Sequence, residues 1–161
     1  MKKIEPVYMI ANGELLIDAP VKTTWVHVMN YPSWQNFPVC EHISGPRGQE
    51  GEVVQLRKEE AGFSFPPYYA RTLKIDPERR VIWKTYPVKP DEVGFFGIVE
   101  FQLYDVQGKT RFVYQTLYEF EVPYETQSEL DAFRKAQYDN FEVLTKTIFP
   151  KLKKLAEKKG A

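Results

Sequence analysis

Apolar residues recur along this chain with two periods, the two-residue step of strands and, near the end, the three- and four-residue steps of a helix. Residues 8–17 read as a first strand. Asp18, Ala19 and Pro20 follow. That order suits a helix start, because Asp can cap a helix whose first turn contains Pro, a position that needs no amide hydrogen. Val21, Trp25, Val28 and Met29 then fall on one side at helical spacing. The helix is expected to stop near Asn30, since Tyr31 precedes Pro32 and is pushed towards extended backbone. A short second helix is expected over 32–36, ending before Pro38.

Strands are then expected over 39–44, 52–60, 68–75, 81–86, 95–105 and 109–122. Turn signals separate them: a Gly-rich run over 45–51, Ala61-Gly62, Pro66-Pro67, Asp76-Pro77-Glu78-Arg79, a loop over 87–92, and Val106-Gln107-Gly108. Turns this short imply antiparallel neighbours. Ser128, with Asp131 three residues later, resembles a capping box and is expected to open the last helix. Phe133, Gln137, Phe141, Leu144, Ile148, Leu152 and Leu155 form its apolar stripe, and Pro150 is expected to kink it. One strand, two helices, six strands and one long helix make an α+β chain: an antiparallel seven-stranded sheet wrapped around a long C-terminal helix.

The 161 residues fit one domain spanning 1–161. Hydrophobic residues at 43% and charged residues at 27% place the chain among globular proteins. Lys+Arg and Asp+Glu are both 22, so the basic surplus of a nucleic-acid binder is missing. Cys40 is the one cysteine, which forbids an intramolecular disulfide and points to a reducing cytoplasm. Glu5, Pro6, Asn12 and Glu14 interrupt the N-terminal apolar run before it reaches signal-peptide length. No stretch approaches the roughly 20 apolar residues of a membrane span, so no stable membrane insertion is expected. Lys151, Lys153, Lys154, Lys158 and Lys159 make a basic C-terminal turn, read as a solvated helix end rather than a membrane contact.

The order of elements resembles the START-related superfamily, also called SRPBCC, with its helix-grip fold. Leu16-Ile17-Asp18-Ala19-Pro20 followed by Thr24-Trp25 looks like its strand-into-helix opening, and Asn30-Tyr31-Pro32-Ser33-Trp34 like its short second helix. Gly48-Gln49-Glu50-Gly51 matches its glycine turn, and the run from Ile75 through Asp76-Pro77-Glu78 to Trp83 its central hairpin. The resemblance covers residues 8–155. It implies a cavity for lipids, polyketides, hormones or similar hydrophobic molecules, in proteins that range from transporters to aromatic polyketide cyclases. The oxygenase members need a His/His/carboxylate iron site; with two His in the chain, no metal and no cofactor are expected.

Candidate site residues follow from alternation. In the last strand Phe112, Tyr114, Thr116, Tyr118 and Phe120 share a face that is almost wholly aromatic, which is assigned inward. Trp83 is read in the same way. Gln137, polar on the helix stripe between Phe133 and Phe141, is expected to orient a ligand beside Phe141 or to bond to a strand Tyr. Tyr69, Arg71, Leu73 and Ile75 make one face of their strand; an Arg71 on that face would need a partner, by preference an ion pair with Glu59 or Glu100 at a strand edge, otherwise a ligand's carboxylate or phenolate. Val53, Gln55, Arg57 and Glu59 alternate with Val54, Leu56 and Lys58; the segment does not decide between the phases, and one of them puts Arg57 beside the pocket. His42 is a candidate acid/base or polar anchor. Cys40, two residues before it on the same face, makes a poor nucleophile partner at strand spacing.

The leading expectation is binding or transport of a hydrophobic or aromatic small molecule. A polyketide cyclase/dehydratase-type enzyme using the same polar residues competes with it. A chaperone-associated interaction module with a filled core is the third alternative.

Overall fold

β1 (Lys3–Ile17) starts at Lys3 rather than at Tyr8. It is an edge strand, which tolerates Pro6 because a missing amide hydrogen there costs no central ladder bond. α1 (Val21–Met29) and a 3₁₀ turn (Tyr31–Ser33) carry the chain to the opposite edge. Pro20, not Asp18, stands at the N-cap of α1, with no side-chain cap; the Asp18 amide instead donates to Oε1 of Glu157 at 2.8 Å. The computed structural model describes residues 1–35, 37, 39–57, 59–60, 63–64, 67–89 and 95–159.

From the far edge the chain returns through β2 (Val39–Ser44), β3 (Val53–Arg57), β6 (Tyr68–Asp76), β7 (Arg80–Pro87), β8 (Phe95–Val106) and β9 (Lys109–Tyr124). All neighbours are antiparallel, and the seven-stranded order is β1-β9-β8-β7-β6-β3-β2. The strand expected over 52–60 is divided: Glu59–Glu60 (β4) pairs with Phe63–Ser64 (β5) in a separate two-stranded ladder. Asn36, Pro38, Ala61-Gly62, Pro66 and residues 90–92 of the expected loop lie outside the described residues.

β9 alternates without interruption, and Phe112, Tyr114, Thr116 and Phe120 are buried on its inner face. Two glycines make room for its large rings. A Cβ at Gly13, paired with Tyr114, would lie 2.2 Å from the phenol oxygen, and one at Gly97, paired with Tyr118, 2.5 Å from the ring. β6 does not keep one phase. Its register slips between Thr72 and Lys74, so Leu73 is the residue of a bulge and the inner face passes from Tyr68, Ala70 and Thr72 to Ile75.

The last helix is three pieces: α2 (Gln127–Val143), a π turn (Leu144–Ile148) and α3 (Phe149–Glu157). Thr126 caps α2, accepting from the Glu129 amide while Glu129 accepts from the Thr126 amide. Ser128 with Asp131 does not perform this role, because both already lie inside α2. Pro150 sits in the first turn of α3, directly after the wide turn, where its missing amide hydrogen leaves no broken bond. The π turn brings both Ile148 and Phe149 to the sheet. Lys153 anchors α3, donating to Leu16 O at 2.8 Å and pairing with Glu157.

Candidate functional site

The buried apolar residues form three clusters instead of one. The largest joins α1, the sheet centre and α3 through Trp34, Trp83, Phe101, Phe112 and Phe149. A second holds Val7, Phe120, Val122 and Leu130, and a third Val54, Leu56, Tyr68 and Ala70. A cavity occupies the place where the three would meet. The sheet supplies Met9, Ala11, Leu56, Tyr68, Ala70, Trp83, Val99, Phe101, Tyr118 and Phe120 to its wall. The C-terminal helix supplies Gln137, Asn140, Phe141, Leu144 and Phe149, and the segment after α1 supplies Tyr31, Gln35 and Phe37. The atom-free space is about 980 Å³ including the open mouth, of which about 100 Å³ admits the centre of a water molecule. The smaller figure is the one to set beside the ~150 Å³ apolar cavity that holds benzene in another protein.

None of the described lining residues is charged. Besides Gln35 and the hydroxyls of Tyr31, Tyr68 and Tyr118, its polar groups include one that is satisfied and three that are not. Thr116 donates to Ala11 O at 2.7 Å and is satisfied. Oγ1 of Thr85, Nε2 of Gln137 and Nδ2 of Asn140 are buried with no partner, although all three residues line the cavity. Near the third cluster Tyr31 sets its ring edge-on to Trp83 at 5.7 Å, and its hydroxyl lies 3.8 Å from the Cys40 sulfur. Burial, reinforced by Cys40 and Glu52, pushes the Tyr31 phenol far above its ordinary range, so it stays a neutral hydroxyl. Cys40 is exposed, yet partial desolvation pushes its thiol up, which disfavours the thiolate a nucleophile needs.

Four of the residues singled out from sequence, Trp83, Tyr118, Gln137 and Phe141, stand together in the cavity wall. Five do not. Tyr114 lies deeper, stacked on Phe149 at 4.1 Å, and burial raises its pKa. Arg71 is exposed and Tyr69 packs on Tyr86 across the outer face, because β6 has the opposite phase before its bulge. Arg57 is exposed as well, since Val54 and Leu56 are the inward residues of β3. His42 faces Glu52 at 2.9 Å beyond the cavity, and Cys40 faces Tyr31, so the two do not pair with each other. Thr85 and Asn140 were not singled out. Asn140 stands one turn after Gln137, a polar pair that a stripe of apolar residues does not reveal. Among the described residues no three His, Cys, Asp or Glu side chains gather to hold a metal, and no helix is long and apolar enough to cross a membrane.

A sheet closed over a C-terminal helix, with a cavity between them, is a helix-grip fold. Solved structures match it along nearly the whole chain. The Zhui aromatase/cyclase from Streptomyces sp. R1128 superposes with a TM-score of 0.70 at 17% identity, covering 94% of each chain. Norcoclaurine synthase from Thalictrum flavum, in complex with dopamine and hydroxybenzaldehyde, gives 0.61 at 14% identity, covering 97% of this chain and 90% of that one. Ara h 8.0201 gives 0.59 at 13%, covering 93% and 98%. At such identities the likeness is one of fold, and the chemistry has to be argued from the side chains. In sequence, no family model and no curated protein matches the chain.

Proposed function

We propose that this protein binds an apolar, ring-bearing small molecule in the cavity between its sheet and its C-terminal helix. The observation that carries this is the division of the buried core into three clusters around an open, uncharged space. A chain selected only for stability would close that space, because unfilled apolar volume forfeits contacts on every wall. The aromatic rings of Trp83, Phe101, Phe120 and Phe141 offer faces and edges to a flat ligand, whose burial would supply most of the affinity. A filled-core interaction module loses support for the same reason. The lone thiol of Cys40 fits a reducing compartment, and the cytoplasm is part of the proposal.

A cyclase/dehydratase-type activity is the second function, favoured by the likeness to an aromatase/cyclase at a TM-score of 0.70. Such chemistry needs an acid or base within hydrogen-bond reach of the substrate. Among the described lining residues only tyrosine hydroxyls offer a proton, and Tyr31 holds its own tightly. Binding without turnover is therefore the preferred function.

Native mass spectrometry of the purified protein, followed by denaturing extraction, tests it. A stoichiometric aromatic or lipid-like molecule is the expected result. A protein that arrives empty, and that no hydrophobic compound stabilises against heat, would overturn the proposal.

A further inference from the structure

We infer that the cavity selects an uncharged ring compound bearing at least two oxygen acceptors, and that Gln137 and Asn140 are the side chains that select it. This rests on the proposed binding function and adds the chemistry of the ligand.

Buried polar groups elsewhere in the fold are used. Thr24 donates to Thr110, and Thr110 donates to Ala19 O. Among the described residues, the three buried side-chain atoms without partners all belong to the cavity wall. Gln137 is 3% exposed and Asn140 6%, so bulk water does not satisfy them. A buried donor without an acceptor is costly, and a ligand oxygen would remove that cost.

The sign of the ligand follows from what faces it. The unpartnered atoms of Gln137 and Asn140 are their amide nitrogens, which donate, so an ammonium would leave both without an acceptor. A carboxylate would accept from them, yet no cation lines the described wall to offset its desolvation. Neutral carbonyl or ether oxygens remain. Gln137 and Asn140 are three residues apart on one helix, which puts their Cβ atoms about 5–6 Å apart. Two oxygens on one ring system span that distance. The hydroxyl of Thr85, on β7 in the opposite wall, is placed to serve a third polar group or the far edge of the ring.

Equilibrium dialysis of the full chain against three compounds of similar shape tests this, with bound compound read by mass spectrometry. The compounds are 2,3-dimethylnaphthalene, 2,3-dimethyl-1,4-naphthoquinone and 2-naphthoate. The dione is expected to bind about tenfold or more tighter than the hydrocarbon, one ordinary hydrogen bond being worth two- to tenfold. The carboxylate is expected to bind at least about tenfold more weakly than the dione. Gln137→Leu and Asn140→Leu should each reduce the dione's advantage, read as the ratio of its affinity to the hydrocarbon's in the same variant. Equal binding of dione and hydrocarbon to the unaltered protein overturns the inference without any appeal to variants, and leaves the binding function standing. So does a carboxylate that binds as tightly as the dione, or an advantage that survives in the folded double variant. If none of the three binds, the proposed function falls with it.

Discussion

Replacing Gln137 by leucine should make the empty protein more stable while spoiling its site. The Gln137 side chain is 3% exposed, and its Nε2 has no partner. An unsatisfied buried donor costs about 1–3 kcal/mol. Leucine removes that cost and adds methyl groups to a wall that Met9 and Tyr118 share with residue 137. Part of the gain is lost to imperfect packing, since the branch of leucine does not follow the path of glutamine. A net stabilisation of about 1–2 kcal/mol is expected, which for a chain of this length raises Tm by about 2–8 °C. The assay is paired urea and thermal unfolding of ligand-free protein, with the urea midpoint moving and the m-value unchanged. Leu152→Ala serves as the contrast: Leu152 is fully buried and bordered by the largest cluster, so its truncation should cost about 2–5 kcal/mol. If Gln137→Leu instead destabilises the empty protein by 1 kcal/mol or more, the amide is doing structural work. The view that it is held in reserve for a ligand would then be refuted.

Three further outcomes are expected. Gly97→Ala should destabilise by about 1–3 kcal/mol and weaken binding, because the new Cβ would press within 2.6 Å of Thr85 Oγ1 and against the Tyr118 ring; unfolding and dialysis together check it. Thr126→Ala should cost about 1 kcal/mol by urea unfolding, through loss of the cap that accepts the Glu129 amide. The Glu129 carboxylate is held below its ordinary range by the amides of Glu125 and Thr126. Its contribution is therefore present above the unfolded value of about 4.3 and lost as pH falls through the lower folded value. The stability difference between the native chain and Glu129→Gln should thus shrink on acidification, and urea midpoints that keep a constant gap from pH 6 to pH 3 would count against it.

Much of the fold was legible because its signals are local. Uninterrupted alternation from Phe112 to Phe120 gave the inner face of β9, and short turns gave the antiparallel order. What failed was parity and reach. Ile75 does belong to the core, and counting back from it in twos leads to Leu73, Arg71 and Tyr69. The bulge at Leu73 breaks that count, and no residue there announces it. Val53–Arg57 is too short and too mixed to fix its own phase; contact with Tyr68 and Ala70 fixes it. The cap of α2 was written in the sequence at Thr126 and Glu129, two residues before the competing Ser128 and Asp131.

The same bulge decides the chemistry of the site. Had β6 kept one phase from Ile75, Arg71 would have pointed inward and the cavity would have held a fixed cation suited to a carboxylate or phenolate. With the parity broken, Ala70 and Thr72 take the inner positions and Arg71 stays in water. Leu56 does the same for Arg57. The cations foreseen from alternation are excluded by one slipped residue and one short strand. The helix contributes the reverse case: Gln137 stood out as a polar residue in an apolar stripe, while Asn140 is buried beside it without any such contrast. The polar contacts of the cavity are thus set by neutral amides and a hydroxyl rather than by charge. On the proposed function, such a site would discriminate among uncharged ligands by the number and spacing of their oxygens.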